Sequence, residues 1–415
     1  MIPKIKNIEN IFLPEIEFQR INDISVYMVP GNLGNLVKIE LIFPAGRKYE
    51  YKKALARTTN ALIREGCEGM SANSFAEAID YYGFYLNVQS NLDYAHVSLV
   101  SLGKYFEKGI ELLLKMLFTA SFEEEEVEKY THVAAQNLEL QLQKNEFLSY
   151  REFTRLLFGD EHIYGYNTSV EAFKNLTRDD LLTFYKQQYI DKCQAVILSG
   201  DIKAHSLDFL KLLRNNGQQS FEYVQEQKSA QGMHQFNGGF DLQTAIKMGK
   251  PLFNRHHADF ADVFIVNTIL GGYFGSRLMK NIRENKGYTY NIYSSLDTLV
   301  HDGYFSINCE VNPKHVSATL KEIEGEIQLL QNVAVADDEL KMVRNYMLGQ
   351  MLHTLDGPFN SSKLLRSLIC DDLDFSFVKN LISRIQNISS DDILNASRQY
   401  LTKEDFVTTI VGPKS

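Results

Sequence analysis

One pattern of apolar and polar positions occurs twice along the chain. Residues 176–200 read LTRDDLLTFYKQQYIDKCQAVILSG, and residues 388–412, 212 positions further on, read ISSDDILNASRQYLTKEDFVTTIVG. Each segment has Thr or Ser at its second position and Asp at its fourth and fifth, which is typical of a helix N-terminus. Each continues as an amphipathic helix ending in Gln-Tyr and then as an apolar strand ending in Gly. The pattern predicts the same helix–strand unit at the end of each half.

A second pair of segments repeats upstream of the first. Residues 77–90 (EAIDYYGFYLNVQS) and 280–294 (KNIRENKGYTYNIYS) each show a helix end, a glycine and an alternating strand. The order of predicted strands and helices in the first half then recurs between residues 240 and 412. Strands mixed with helical pairs predict an α+β fold. We expect two homologous, duplicated domains, each a mostly antiparallel sheet with helices packed on one face.

A polar segment separates the two halves. Residues 217–239 (GQQSFEYVQEQKSAQGMHQFNGG) are rich in Gln, Gly and Ser, which is typical of a linker. The sequence therefore predicts an N-terminal domain over residues 1–216 and a C-terminal domain over residues 240–415.

Composition narrows the class of protein. Of the 415 residues, 44% are hydrophobic and 23% are charged, as in soluble globular proteins, and the formal net charge of −9 disfavours nucleic acid and anionic membrane surfaces as partners. No run of about 18 apolar residues occurs, and the first residues lack a signal-peptide pattern. The four cysteines are far apart and form no CxxC motif, which fits free thiols in a reducing compartment. We therefore expect a cytoplasmic location. The cysteines are Cys67, Cys193, Cys309 and Cys370.

No common catalytic motif is present. None of the ten histidines lies in HExxH or HxxEH, and the phosphate-loop, dinucleotide-binding and α/β-hydrolase motifs do not occur. His256 and His257 are adjacent, so they would point to different faces of a helix, and we expect them at the surface. His132 and Gln136 share a helical face, but one imidazole and one amide do not form a zinc site.

The segment 274–295, FGSRLMKNIRENKGYTYNIYSS, places Arg283 seven residues before Tyr290 across a predicted helix end at Gly287. Two interpretations are open for this pair. Arg283 is a surface ion-pair partner and Tyr290 packs in a strand, or both side chains face one cavity and hydrogen-bond a ligand.

The duplicated pattern, the strand QTAIKMG (243–249) and ILGGYFGSRLMKNIRENKGYTYNIYSS (269–295) together resemble the pitrilysin/insulinase metallopeptidases, the inverzincins. The resemblance covers nearly the whole chain. It is to the non-zinc, Arg/Tyr-bearing subunit of the two-chain bacterial peptidases related to mitochondrial processing peptidase.

The resemblance implies that a zinc-binding half carries HxxEH on the helix after its first strand and a third ligand, Glu, on a later helix. Here the two ligand histidines fall on Arg57 and Ala61, the general base on Asn60 and the third ligand near Gln136. Zinc prefers neutral imidazole, thiolate or carboxylate ligands. The resemblance therefore implies no zinc in this chain and zinc in a partner.

By the same resemblance, Arg283 and Tyr290 reach the active site across a closed chamber. A guanidinium and a phenol hydroxyl can hydrogen-bond the oxygen of a peptide carbonyl as it gains negative charge. Gly271, Gly272 and Gly275 form a glycine-rich turn that the resemblance links to substrate handling. The alternative for these glycines is a tight connection between two helices.

The function implied is that of the zinc-free subunit of a heterodimeric metallopeptidase, with an HxxEH-bearing partner of similar size and peptide substrates. In the family, substrates add as a strand to a sheet edge. Two alternatives stay open: a non-catalytic scaffold, similar to respiratory-complex core subunits, and a homodimeric peptide-binding protein.

Overall fold

The structure is a computed structural model that describes residues 8, 10–202, 205–217, 229–239 and 242–413. Its strands form a six-stranded and a five-stranded sheet. The described strands are β1 (Glu17–Ile21), β2 (Ile24–Pro30), β3 (Leu36–Phe43), β4 (Tyr85–Ser90), β5 (Ala95–Leu102), β6 (Ala195–Gly200), β7 (Gly232–Asn237), β8 (Thr244–Leu252), β9 (Ile292–Thr298), β10 (Gly303–Val311) and β11 (Val407–Gly412).

Helices occupy most of the chain between the strands. The described α-helices are α1 (Leu55–Leu62), α2 (Ala72–Tyr81), α3 (Phe106–Thr119), α4 (Glu124–Gln141), α5 (Asn145–Phe158), α6 (Val170–Lys174), α7 (Arg178–Gln188), α8 (Phe260–Leu270), α9 (Val316–Asn332), α10 (Asp337–Leu355), α11 (Gly357–Cys370), α12 (Phe375–Asn387) and α13 (Ser390–Tyr400). Among the helices of the described ranges, none has both the length and the apolar character that a membrane crossing requires.

The two sheets share one topology. Their strand orders are β1-β2-β6-β3-β5-β4 and β7-β11-β8-β10-β9. In each sheet one neighbouring pair is parallel, β2–β6 and β7–β11, and the other pairs are antiparallel. The predicted α+β class with two homologous, mostly antiparallel units is confirmed.

Local sequence explains why the closing unit of each half is helical at the same place. Thr177 accepts a hydrogen bond from the backbone N–H of Asp180, and the Asp180 carboxylate accepts one from the backbone N–H of Thr177. Ser389 and Asp392 form the same capping box at α13. Because a capping box satisfies otherwise unpaired N–H groups, it fixes where each helix begins.

Part of the predicted linker forms a strand. Residues 232–237 are β7, which pairs in parallel with β11 and occupies the position that β2 has in the first sheet. β7 is largely exposed, so its polar composition does not prevent pairing. Residues 218–228 of the predicted linker lie outside the described residues. The domain limits at residues 216 and 240 stay a prediction.

Each sheet packs one face against helices of its own half. In the first half this core includes the fully buried Phe43, Phe106 and Phe184. In the second half it includes Phe305 and Ile323.

The opposite face of each sheet is covered by a helix from the other half. α5, which belongs to the first half, packs on β8 and β11, while α11, from the second half, packs on β2 and β6. Phe153 and Leu157 of α5 form one apolar cluster with β10 and β11, and Leu365 of α11 forms another with β2, β3 and β6. The sequence pattern predicted helices on one face and did not predict this exchange.

Two glycines let the exchanged helices come close. A Cβ on Gly238, after β7, would lie 2.2 Å from the Asn145 side chain at the start of α5. A Cβ on Gly31, after β2, would lie 2.8 Å from the Pro358 ring at the start of α11. Distances this short exclude any side chain, so Gly238, within the predicted linker, is a packing residue.

A buried ionic cluster joins α11 to the first sheet. The carboxylate of Glu40, fully buried on β3, lies 2.6 Å from the Nζ of Lys38 and accepts hydrogen bonds from Ser362 and Arg366 of α11. Burial opposes ionisation of Glu40, but the charges of Lys38 and Arg366 outweigh it and hold the pKa of Glu40 below its usual value. The cluster therefore depends on an ionised Glu40.

Glu40→Gln is expected to destabilise the fold by about 3 kcal/mol near neutral pH, because it leaves Lys38 and Arg366 partly buried without their counter-charge. Urea unfolding monitored by circular dichroism measures the change. Glu111→Gln, which breaks an exposed pair with Lys108 on α3, is the control and should cost less than about 1 kcal/mol.

The pH dependence of the stability difference between the wild type and Glu40→Gln is a further test. A carboxyl whose native pKa is depressed contributes stability that is present above its unfolded pKa, which is 4.5 for Glu, and that is lost as pH falls through the native pKa. The stability difference between the wild type and Glu40→Gln should therefore shrink on acidification below pH 4.5. A difference that stays constant to pH 3 would exclude an ionised Glu40 as its source.

Candidate functional site

The segment with the predicted Arg/Tyr pair connects α8 to the edge strand β9. Residues Met279–Asn285 form a π-helix rather than an α-helix. It ends where the backbone N–H of Lys286 donates to the carbonyl of Asn281, and Gly287 follows with φ +65°. Glycine adopts this left-handed conformation without steric cost, so the chain turns here toward β9.

The three glycines of the preceding turn are sites of close approach. A Cβ on Gly271 would lie 2.5 Å from the backbone N of Ser294 on β9, and one on Gly272 would lie 2.7 Å from the Cα of Thr268. A Cβ on Gly275 would lie 2.7 Å from the ring of Tyr273. The turn is thus a tight connection that packs the end of α8 on β9. A role of these glycines in substrate handling stays a prediction.

Arg283 lies on the π-helix and is half-buried. Its guanidinium carbon stands 4.6 Å from the centroid of the Phe274 ring. Among the described residues Arg283 forms no ion pair, whereas its neighbours Arg277 and Lys286 pair with Glu339 and Glu322. The interpretation of Arg283 as a surface ion-pair partner is therefore wrong, and its N–H donors are available to a ligand.

Tyr290 is 90% exposed and lies two residues before β9. The turn beneath it is fixed by Thr289, whose hydroxyl hydrogen-bonds the backbone carbonyls of Glu310 and Asn291 at 2.7 and 2.9 Å. The interpretation of Tyr290 as a residue packed in a strand is therefore wrong. The phenol hydroxyl of Tyr290 is therefore accessible to a ligand.

The strand beside Tyr290 is an open edge. In the described part of the chain β10 is the only strand that pairs with β9. On the other side of β9 the backbone N–H of Ser294 donates to the carbonyl of Gly271, and the rest of this side has no strand partner. Tyr290 and Tyr293 line a cleft of about 420 Å³ that runs between this edge and the start of α5. An aromatic rim next to an open strand edge is suited to an extended peptide, which adds as a further strand.

Sequence reasoning missed Phe274, which is 65% exposed and holds Arg283. The available signal was an aromatic residue within a glycine-rich turn, a place where large apolar side chains have no core to enter. It also missed which strand forms the edge, because strand order depends on pairing between distant segments.

The positions that the resemblance predicts to correspond to a zinc motif lie on α1 and α4, which pack against each other. Arg57 is exposed and stands 5.9 Å from the Phe173 ring centroid, whereas Asn60 is buried and accepts a hydrogen bond of 3.1 Å from the Tyr189 hydroxyl. Ala61 is half-buried and Gln136 is exposed. These side chains present no imidazole, thiolate or carboxylate.

No group of three or more His, Cys, Asp or Glu in the described ranges is arranged to hold a metal ion. His256 and His257 are exposed, as expected. His257 stacks on Phe253 with ring centroids 3.7 Å apart, and the Nε2 of His256 lies 2.6 Å from the carbonyl oxygen of Asp371.

A buried acid near α1 has a structural task. The carboxylate of Glu50 accepts hydrogen bonds from the backbone N–H groups of Ala54 and Ala56 and from the Tyr166 hydroxyl. Burial raises the pKa of Glu50, although these hydrogen bonds oppose the shift. Because the residue before α1, Ala54, has no side-chain cap, Glu50 satisfies the N–H groups at this end of the helix.

Comparison with known proteins gives matches over most of the chain. The sequence profile of the peptidase M16 inactive domain matches residues 175–347, which include Arg283 and Tyr290. The chain is 24% identical over 402 residues to a Helicobacter pylori protein named non-peptidase homolog YmxG, covering 91% of this chain and 89% of that protein. It is 20% identical over 361 residues to a Bacillus subtilis protein named uncharacterized zinc protease YmxG, covering 84% and 86%.

Two solved structures are informative. The peptidase M16 inactive domain from Pseudomonas fluorescens superposes with a TM-score of 0.86 at 21% identity, covering 96% of this chain and 98% of that chain. The periplasmic protease PqqL from Escherichia coli superposes with a TM-score of 0.79 at 12% identity and covers 99% of this chain, but only 47% of that chain is matched.

The profile match, the relatives matched along nearly their whole length and the shared fold all agree with the resemblance seen in the sequence, which is confirmed. Residues 175–347 match the inactive domain of the peptidase M16 family, and the chain as a whole is similar to proteins of this family, the pitrilysin/insulinase peptidases.

Proposed function

We propose that this chain is the zinc-free subunit of a two-chain peptidase. A partner of similar size contributes HxxEH and zinc, and this chain closes the chamber and holds the peptide substrate. Arg283 and Tyr290 donate hydrogen bonds to the scissile carbonyl oxygen, where negative charge develops during attack by water.

The main support for the proposal is that the side-chain donors of Arg283 and Tyr290 are free to bind a ligand. Arg283 has no ion pair among the described residues, and Tyr290 is 90% exposed beside the open edge of β9. Donors held on rigid elements without internal partners are suited to a ligand, because binding does not first have to break an existing contact. Phe274 and the turn at Thr289 hold the two residues in place.

The proposed partner is supported by relative chain length. PqqL is a protease of which this chain matches 47%, so that protein contains roughly one further unit of this size. We infer that a second unit of this size completes the peptidase, and the resemblance to two-chain peptidases assigns that unit to a partner chain. The positions Arg57, Asn60, Ala61 and Gln136 support the division of labour, since they offer no zinc ligands.

The test is peptide cleavage by this chain mixed with a chain of similar length that carries HxxEH. Each protein alone should be inactive on a quenched-fluorescent peptide, and the mixture should cleave it. Arg283→Ala and Tyr290→Phe should each lower the rate of the mixture by about 10²–10³-fold, which is the usual loss of an oxyanion donor.

Arg64→Ala and Tyr81→Phe are the matched controls, because both residues are exposed and lie in the first half, away from the pair. They should leave the rate unchanged. If the mixture cleaves and the Arg283 and Tyr290 variants cleave equally well, the assigned role is wrong. If no mixture cleaves although a complex forms, the chain is a scaffold.

A second test restores the zinc site. The triple variant Arg57→His/Ala61→His/Gln136→Glu places two imidazoles four residues apart on α1 and a carboxylate on α4, which is the ligand set of a catalytic zinc site. All three positions are exposed or half-buried, so the substitutions should be tolerated. We expect one zinc per chain by mass spectrometry of metals after dialysis, against none in the wild type.

The double variant Arg57→His/Ala61→His is the control for adventitious binding and should bind zinc at least ten-fold more weakly, since it lacks the third ligand. Stoichiometric zinc in the wild-type chain would contradict the assignment of these positions. Failure of a folded triple variant to bind zinc would show that the family positions fall on other residues.

A further inference from the structure

The two sheets carry side chains of opposite charge at one equivalent position. Ile197 and Thr409 stand three residues before the closing glycines of β6 and β11. On the neighbouring strands, Glu40 pairs with Ile197 and Lys247 pairs with Thr409. Glu40 and Lys247 are therefore equivalent, and each lies under the helix that comes from the other half.

In the first sheet the charge at this position is neutralised. Glu40 accepts from Arg366 and Ser362 of α11 and contacts Lys38. In the second sheet the helix above is α5, which carries Tyr150 at the position of Ser362 and Thr154 at the position of Arg366. No counter-charge comes from the covering helix at these two positions.

Lys247 has neutral neighbours instead. Its Nζ donates to Ser306 and Asn308 and stands 5.4, 5.0 and 6.0 Å from the ring centroids of Tyr150, Phe153 and Tyr304. Among the described residues it forms no ion pair, although it is only 7% exposed. Burial lowers the pKa of Lys247 to about 8, against the charges of Asp297 and Glu146, so the side chain is still mostly protonated at pH 7.

The cleft beside Lys247 has space and charges for a ligand. Its volume of about 420 Å³ is within the range of small-molecule sites. Its charged lining consists of Lys247 and Lys144 with Glu146 and Glu310, two positive and two negative groups. Burial, and then the charge of Glu146, raises the pKa of Glu310, so a nearby cation would relieve this pair. The rest of the lining is mixed, with aromatic side chains such as Tyr150 and Tyr293 beside neutral polar ones such as Asn308.

We propose that this cleft binds a zwitterionic amino acid or dipeptide, whose carboxylate meets the ammonium of Lys247 and whose ammonium meets the carboxylates of Glu146 and Glu310. An ammonium has three N–H donors, and the Nζ of Lys247 makes two hydrogen bonds, to Ser306 and Asn308, so one donor remains for a ligand. A ligand carboxylate would be the negative partner of Lys247, just as Arg366 is the positive partner of Glu40. The inference rests on the proposed function in that it uses the cleft beside Tyr290 and the β9 edge, but the site lies on this chain alone and needs neither a partner chain nor zinc.

The test is isothermal titration calorimetry of the chain alone with L-phenylalanine and with L-alanyl-L-phenylalanine. At least one should bind, and its N-acetylated and C-amidated forms should each bind about ten-fold or more weakly, because each lacks one charge. Absence of binding by both free compounds would overturn the proposal. Equal binding of the blocked forms would overturn it as well.

Lys247→Met should lower the affinity for the free compounds about ten- to one-hundred-fold. Lys250→Met is the matched control, since it removes a buried lysine of the same strand that pairs with Asp405 and does not line the cleft. Should Lys247→Met fail to fold, Glu146→Gln decides, because Glu146 is exposed. It should weaken binding of the free compounds more than binding of the N-acetylated form. Unchanged affinity in the folded variants would contradict the assigned contacts.

Discussion

A sheet with two apolar faces has to bury both, and in this chain neither half can do so with its own helices. α5 leaves the first half to cover the second sheet, and α11 leaves the second half to cover the first. Each exchanged helix buries large apolar side chains such as Phe153 or Leu365, each worth about 1.5–3 kcal/mol. Because each exchanged helix covers the sheet of the other half, we expect either half alone to expose an apolar sheet face to water. The remaining features of the molecule, including the cleft, depend on this reciprocal packing.

The exchange also explains which parts of the fold were predictable. Capping residues such as Thr177 and Asp392 act within one turn of the chain, so the repeated helix–strand unit is visible in the sequence. α5 was not predicted from the sequence, and no pattern within one segment tells which sheet a helix covers. β7 escaped prediction because a half-exposed strand with Gln and Gly carries little pattern of its own, and pairing with β11 determines its structure.

The geometry of the candidate site was not predictable from the sequence. The resemblance of residues 269–295 points to Arg283 and Tyr290, whose role stays a prediction. In the described part of the chain Arg283 stacks on Phe274 without an ion pair, and Tyr290 is exposed. The π-helix, the open edge of β9 and the ring of Phe274 beneath Arg283 depend on contacts between segments that sequence spacing does not report. For the degenerate positions the opposite holds. Residue identity alone shows that no usual zinc ligand stands at Arg57, Asn60, Ala61 or Gln136. The hydrogen bond from the Tyr189 hydroxyl to Asn60 is known only from the structure.

Because the two halves share one fold, their buried charges can be compared position by position. Burying a charge without an ion-pair partner costs free energy. Glu40 and Lys247 occupy equivalent positions, so the two halves must offset this cost in different ways. In the first sheet the balance is internal, since Arg366 and Lys38 neutralise Glu40. In the second sheet Lys247 has hydroxyl, amide and ring neighbours, and the space that a counter-ion would fill opens toward Tyr290. At this position in the first sheet, Glu40 connects the two halves through Arg366 and Ser362 of α11. In the second sheet the same position faces a cleft, on the side of the molecule where the exposed aromatic residues and the open strand edge also lie.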